Sequence, residues 1–312
     1  MSTLRDMTLG PAVLDLRFQG EAQTIASYLL IGPEDAALIE TGPTSTLGSL
    51  MAGLAAAGVP PERVTKVLLT HIHLDHAGAA GRLMRLLPNA SVYVHAAGAH
   101  HLIDPARLLA SAQRIYGGQM DRLWGEVLPV PAERVVVLDD GAVIIAGGRE
   151  LAALYTPGHA SHHIAYWDAT GRGIYTGDAA GIRLPGREAV LPPTPPPDLD
   201  LEAWSASIRQ LLELDAHTLY LTHYGPAHDP SGHLEALDRR LYAWRDLVLA
   251  ALLEGLDETA IAQRLEERAN HDLGEPARTD PALRGRYGLV AGYAMNVAGY
   301  VRYLRKQGVL PS

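Results

Sequence analysis

Apolar residues in the first 180 positions come in short runs set apart by Gly, Pro, Asp and Glu, the pattern of successive strands. Val13–Phe18, Thr24–Ile31 and Ala36–Glu40 read as the first three. Leu and Ala at helical spacing follow over Thr44–Ala57. Then come a strand at Val64–Leu69, a short helix at Arg82–Leu87 and a strand at Ser91–His95. His100–Trp124 reads as mostly helical, with Pro105 near a start and Gly117–Gly118 as a break. Beyond it the strands cluster, at Arg134–Leu138, Ala152–Tyr155, His163–Trp167 and Gly173–Thr176. Alternation first and clustering later predicts a mixed α/β layered protein rather than a single parallel sheet.

Leu191–Asp198 breaks this pattern, since five of its six central residues are proline. Such a run is stiff and extended, and is expected on the surface as a linker or as a loop lining a site. Asp198 or Asp200 can cap a helix running through Leu212. The last part is helical in pattern: His233–Gly255, Glu258–Arg268 after an Asp257 cap, and Val290–Gln307. Two domains are therefore expected, residues 1–231 and a helical domain at residues 232–312.

At 312 residues the chain can bury a large core, and 47% hydrophobic against 20% charged residues is an ordinary globular balance. The net charge of −9 argues against a protein that coats nucleic acid. All of it falls before Gly232, where 24 acidic residues meet 15 basic ones; the tail holds 11 of each. No apolar run approaches about 18 residues, so no membrane span is expected. Met1–Gly10 has no apolar signal core, which points to the cytoplasm. The absence of cysteine excludes disulfides, thiolate nucleophiles and cysteine metal sites. A metal would have to be held by His, Asp or Glu, and 14 His residues are present.

The chemistry concentrates in Thr70-His71-Ile72-His73-Leu74-Asp75-His76-Ala77-Gly78, directly after a buried strand. Ligands bind at the carboxyl ends of strands in open α/β sheets. Three imidazoles and a carboxylate within six residues suit a borderline divalent ion such as zinc. So many neighbours converge poorly on one ion, and a two-plus-two split needs further ligands from elsewhere. Three more strand ends offer them: Gly158-His159, Gly177-Asp178, whose two oxygens can bridge two ions, and Thr222-His223.

The order His-x-His-x-Asp-His, Gly-His, Gly-Asp, His resembles the metallo-β-lactamase superfamily over residues 13–226. That resemblance implies a four-layer αββα sandwich with the site along one edge. It implies His71, His73 and His159 on one metal, Asp75, His76 and His223 on a second, and Asp178 bridging. The cofactors expected are two divalent ions, zinc first, with iron or manganese as alternatives. Glu40-Thr41-Gly42 stands where many members carry Asp-Thr-Gly, which gives Glu40 the task of orienting a ligating His with a longer reach. His163 takes a supporting role beside the metals, and His162 a contact to substrate. Tyr224, next to His223, either donates a hydrogen bond to an oxyanion or packs as an aromatic wall. Arg183 is read as an anion contact or a surface residue; His95, His100 and His101 as surface or helix-start residues.

Two adjacent cations can lower the pKa of a shared water toward neutrality and polarise the scissile group. Asp75 would orient the resulting hydroxide and pass its proton to the leaving group. The expected enzyme is a dinuclear metal-dependent hydrolase of a small-molecule thioester, ester or lactone, similar to hydroxyacylglutathione hydrolases and lactonases. β-Lactams are not the expected substrate. One alternative is a phosphodiesterase or endoribonuclease that binds nucleic acid through the helical tail. Arg278–Lys306 is net basic, but the tail as a whole is neutral and leaves no room for a wing. A di-iron redox protein is the second alternative. The tail is expected to act as a lid or a homodimer interface.

Overall fold

The computed structural model describes residues 10–186 and 189–311. The expectation about the amino-terminal segment concerns residues 1–9 and lies outside them. Twelve strands pair into two six-stranded sheets among the described residues. The first sheet has β1 (Ala12–Asp15), β2 (Ala26–Ile31), β3 (Ala36–Ile39), β4 (Val64–Leu68), β5 (Ser91–His95) and β6 (Val135–Leu138) in sequence order. Its first three strands are antiparallel and the rest parallel. The second has β7 (Val143–Ala146), β8 (Arg149–Tyr155), β9 (Ile164–Asp168), β10 (Gly173–Gly177), β11 (Thr218–Leu221) and β12 (Gly225–Ala227). Here only β10 and β11 run parallel.

Strand alternation decides which face each side chain covers. Tyr28 and Leu30 of β2 and Ala37 and Ile39 of β3 point inward, against Leu151, Ile164, Tyr166 and Tyr175 of the other sheet. Leu29 and Leu38 point outward, beneath helices. Both faces are covered, so these strands are apolar throughout instead of alternating with polar residues.

The helices over the first sheet are α1 (Leu47–Ala56), α2 (Leu74–Ala77), α3 (Ala80–Leu86), α4 (Ala96–Ile103), α5 (Ala106–Tyr116) and α6 (Met120–Leu123). The His95 imidazole caps α4 by accepting from the Ala97 N–H. Over the second sheet lie α7 (Leu201–Leu212), α8 (Pro230–Leu253), α9 (Glu258–Asp272), α10 (Glu275–Thr279), α11 (Pro281–Ala291) and α12 (Tyr293–Lys306). Asp200 caps α7 and Asp257 caps α9. The result is the four-layer αββα sandwich. One apolar core runs from the outer face of the second sheet through α7 and α8 to α12.

Three expectations need correction. The helix read as Val290–Gln307 is two helices, because Gly292 adopts a left-handed conformation (φ 59°) that ends α11 and starts α12. Strands β7 and β12 were not among the expected strands; β12 is only three residues long, Gly225–Ala227. The proline segment is not a surface strap over its first half. Leu191, Pro192, Pro193 and Thr194 are buried. Asn296 of α12 accepts a hydrogen bond from the Thr194 N–H (2.7 Å), and a Cβ at Gly299 would overlap the Thr194 carbonyl. Apolar proline rings and a helix that approaches without a side chain in between take the segment out of water.

Candidate metal centre

The seven expected ligand residues meet at one edge of the sandwich, beyond the ends of β4, β8, β10 and β11. The edge is tied shut across the sheets. Ile164 N–H donates to the Thr70 carbonyl (2.8 Å), Tyr166 O–H to the Leu69 carbonyl (2.8 Å), and Ala26 N–H to the Thr222 carbonyl (2.8 Å). Gly177, at φ 49°, leaves the space that Thr70 and His163 occupy, so a side chain there would displace both. Gly158 likewise lets α7 approach, and Trp204 sets its ring edge-on to His159 at 5.5 Å.

By distance the donors form two adjoining groups. His73 Nδ1 lies 3.0 Å from His71 Nε2 and 3.0 Å from His159 Nε2. Asp75 Oδ2 lies 3.3 Å from His223 Nε2 and 3.6 Å from His76 Nε2. Asp178 spans the gap: Oδ2 is 3.3 Å from His159 Nε2, while Oδ1 is 3.3 Å from His76 Nε2 and 3.5 Å from His223 Nε2. His71, His76 and Asp178 also offer atoms within 4.8 Å of one another, which joins the two groups.

Four of the five histidines have a fixed partner at the outward nitrogen. His76 Nδ1 faces Glu40 Oε2 at 2.8 Å, and the other Glu40 oxygen accepts from the Thr70 N–H (2.8 Å). His71 Nδ1 meets Thr70 Oγ1 (3.0 Å), His159 Nδ1 the Pro193 carbonyl (2.9 Å) and His223 Nδ1 the Thr24 carbonyl (3.0 Å). With Nδ1 donating and the ring neutral, as it would be on a bound cation, Nε2 offers an inward lone pair. His163 accepts from the Asp178 N–H (3.2 Å) and meets Thr156 Oγ1 at 2.8 Å, so it positions the backbone of Asp178.

Electrostatics separates the two groups. Burial and neighbouring imidazoles depress His71 well below the usual histidine range, and burial with His159 brings His73 to about 4. These rings are neutral. Burial also opposes charge on His76, but Asp178, Asp75 and Glu40 outweigh it and raise its pKa well above 6.5. His223 is raised against burial by Asp178 and Asp75. Asp178 is held well below the carboxylate range and Asp75 at about 2, in both cases against burial, by the facing histidines. His76 Nε2 and Asp178 Oδ1 are both buried and lack a hydrogen-bond partner. Inward-facing imidazole nitrogens, the buried Asp178, the part-exposed Asp75 and two orphaned polar atoms suit a divalent cation, and the spacing is near the ~3.4 Å between neighbouring ligands of a tetrahedral zinc.

The centre opens into a cavity of about 500 Å³. His162 lines it, stacked on His71 at 6.0 Å. His101, expected at the surface, is half-buried and lines it too. Tyr224 is not among the described lining residues; it packs against the apolar residues of both sheets. The chain turns at Gly225 into β12, and this carries the residue after His223 away from the cavity. Arg183 is also turned away, with Nη1 3.5 Å from His233 Nδ1. The sequence had no side-chain signal for the Thr24 and Pro193 carbonyls. Nor did it mark Trp124, Arg107 and Asn296 as parts of the cavity wall.

The sequence pattern of the metallo-beta-lactamase superfamily matches residues 21–223, and the chain belongs to that superfamily. It is 27% identical over 167 residues to a metallo-beta-lactamase fold-containing protein of Sulfurisphaera tokodaii, covering 53% of this chain and 62% of the relative. It is also 27% identical over 235 residues to an atrochrysone carboxyl ACP thioesterase of Aspergillus fumigatus, covering 74% and 61%. The chain thus spans about three-fifths of the length of these relatives. The crystal structure of a metallo-beta-lactamase family protein from Thermus thermophilus superposes with a TM-score of 0.72 at 24% identity, covering 97% of this chain and 94% of that one. That likeness shows the shared fold.

Proposed function

We propose that the protein is a dinuclear metal-dependent hydrolase of a small-molecule thioester, ester or lactone. The observation that carries the reading is Asp178, whose two oxygens address different donor groups beside a cavity. His71, His73 and His159 would hold one ion, Asp75, His76 and His223 the other, and Asp178 would bridge them. Two zinc ions held there would supply Lewis acidity and an activated water at neutral pH.

The protein's own residues then orient and move protons. Asp75 directs Oδ2 to His223 and His76 and has the most open side chain of the carboxylates, 25% exposed. Its Oδ1 accepts a hydrogen bond from the attacking water and takes its proton. When the carbon–sulfur or carbon–oxygen bond breaks, that proton passes to the leaving thiolate or alkoxide. The acyl carbon keeps the water oxygen, and the carboxylic acid so formed releases the second water proton to solvent to become a carboxylate. Likeness to a thioesterase supports an acyl substrate. The wall does too: among the described lining residues Arg107 is the single Lys or Arg, and nucleic acid requires a basic track.

The test is metal analysis joined to turnover on a panel of acyl thioesters, acyl lactones, phosphodiesters and single-stranded RNA, with and without chelator. Two ions per chain and chelator-sensitive cleavage of acyl substrates are expected. Cleavage of phosphodiesters or RNA alone would replace this reading with a nuclease. Among the described residues no helix is long and apolar enough to cross a membrane.

A further inference from the structure

The structure assigns the cavity above the metal centre to an apolar chain of the substrate, and makes the carboxyl-terminal helices one wall of that chamber. This rests on the acyl-hydrolase reading above. One wall comes from the catalytic sandwich: Phe18, Ile25, Leu108, Ile115, Tyr116 and Trp124. Phe18 and Trp124 stack at 5.6 Å, and Tyr116 meets the Trp124 ring edge-on at 4.9 Å. The facing wall is the α11–α12 junction, with Leu289, Val290, Ala291 and Met295. The walls meet where the Tyr116 hydroxyl lies 3.7 Å from Met295 Sδ. The volume of about 500 Å³ falls within the ~300–1,000 Å³ of sites that enclose drug-sized molecules. Polar groups lie at the metal centre and around His101, His162 and Asp198, and Arg107 and Ser111 of α5 line the cavity beside Leu108 and Ile115. A hydrophilic chain laid between Phe18, Ile25, Leu289 and Val290 would lose its hydration against side chains that offer no hydrogen bond. A medium-length hydrocarbon chain gains from the same contact.

The metal-loaded protein tests this with N-acetylcysteamine thioesters from acetyl to dodecanoyl. Each added methylene, up to the length that fills the chamber, should raise kcat/KM by about two- to fourfold. Val290→Trp should move the optimum to shorter chains, and Met295→Trp does the same if the first variant fails to fold. A flat or falling profile overturns the assignment. Calorimetry with N-methyl alkanamides of the same lengths separates the two claims. If no acyl substrate turns over but affinity climbs with chain length, the chamber stands and the hydrolase reading falls. Turnover without any length dependence does the reverse.

A second observation concerns the hydrogen bonds of Asn296, which also lines the chamber. The geometry points to Asn296 as a positioning residue for His159, acting through the proline segment. Its Oδ1 holds the Thr194 N–H at 2.7 Å, and its carbonyl faces Thr194 Oγ1 at 3.4 Å. The adjoining Pro193 carbonyl takes the His159 Nδ1 proton at 2.9 Å. Asn296 is 1% exposed. Loss of the clamp frees the carbonyl that sets the ring angle of His159. Asn296→Ala should weaken zinc binding by about tenfold, read by competition with a chromophoric chelator, while Asn296→Asp keeps the acceptor oxygen and restores it. Val297→Ala, on the same helix but outside the clamp, is the control for general destabilisation. It should lower Tm without altering zinc affinity. Wild-type affinity in Asn296→Ala, or equal loss in Asn296→Ala and Val297→Ala, overturns the role. Failure of the wild-type protein to bind zinc at all would instead overturn the metal reading.

Discussion

Glu40 Oε2 lies 2.8 Å from His76 Nδ1, and both side chains are sealed from solvent. Glu40 has φ 68°, a conformation uncommon outside glycine, and its second oxygen is held by the Thr70 N–H. The residue therefore joins the ends of β3 and β4 and also fixes which nitrogen His76 turns inward. Glu40→Gln puts an amide where the carboxylate accepts the ring proton. Zinc affinity should fall about 10- to 100-fold in a competition titration, with the fold intact by circular dichroism. Undiminished affinity would remove Glu40 from the support of the centre.

Among the described residues, Asp178 is the one that reaches both donor groups with separate atoms. Asp178→Ala should lose at least one of the two proposed ions on dialysis, and turnover should drop by roughly 10²–10³-fold or more. Elemental analysis and steady-state kinetics on the same preparation check this. Two ions retained with normal turnover would sink the bridging role.

Tyr224 follows a proposed ligand in sequence but lies against the sheets. Burial, with Asp15 nearby, pushes its phenol up to about 12, so it is neutral at working pH. Tyr224→Phe should leave kcat and KM within about twofold of wild type, since surface or packing changes of one oxygen away from a site rarely exceed a few tenths of a kcal/mol. A large loss of kcat with normal metal content would bring the hydroxyl back to the reaction.

His233 gives the fold an acid sensitivity of its own. Burial, with Arg183 adding to it, lowers its pKa to about 4, and Nε2–H donates to the Ala180 carbonyl at 2.7 Å. Unfolded, the ring titrates near 6.5. Between these values the unfolded chain binds the extra proton, so stability falls as pH drops from 6.5 toward 4, by roughly 3 kcal/mol, and the contribution is constant above and below. His233→Gln keeps a donor for Ala180 without a titrating group. Urea unfolding at pH 7, 6 and 5 should show a shallower decline for this variant. Parallel declines would assign the acid sensitivity to other groups.

Much of the layered fold was legible because its signals are local. β4 and the His-rich stretch after it adjoin in sequence, and buried strands of a two-faced sandwich stand out as apolar runs. Asp200 and Asp257 marked two helix starts through the same short-range hydrogen bonding that caps them. The split of α11 from α12 was not legible. It turns on the single backbone conformation of Gly292, in a stretch whose apolar spacing continues across it.

Sequence by itself supplied the candidate donors, because ligating atoms belong to side chains whose chemistry is fixed by residue type, and four of the seven lie within six positions. Only the tertiary structure decided which nitrogen each histidine presents. Those partners are Glu40, the Thr24 carbonyl and the Pro193 carbonyl, brought up from distant segments, and a backbone carbonyl leaves no mark on residue identity. The cavity is tertiary for the same reason. Trp124 and Met295 are ordinary apolar residues in one dimension, and they become facing walls because burial sets α12 against the proline segment and closes one core over both.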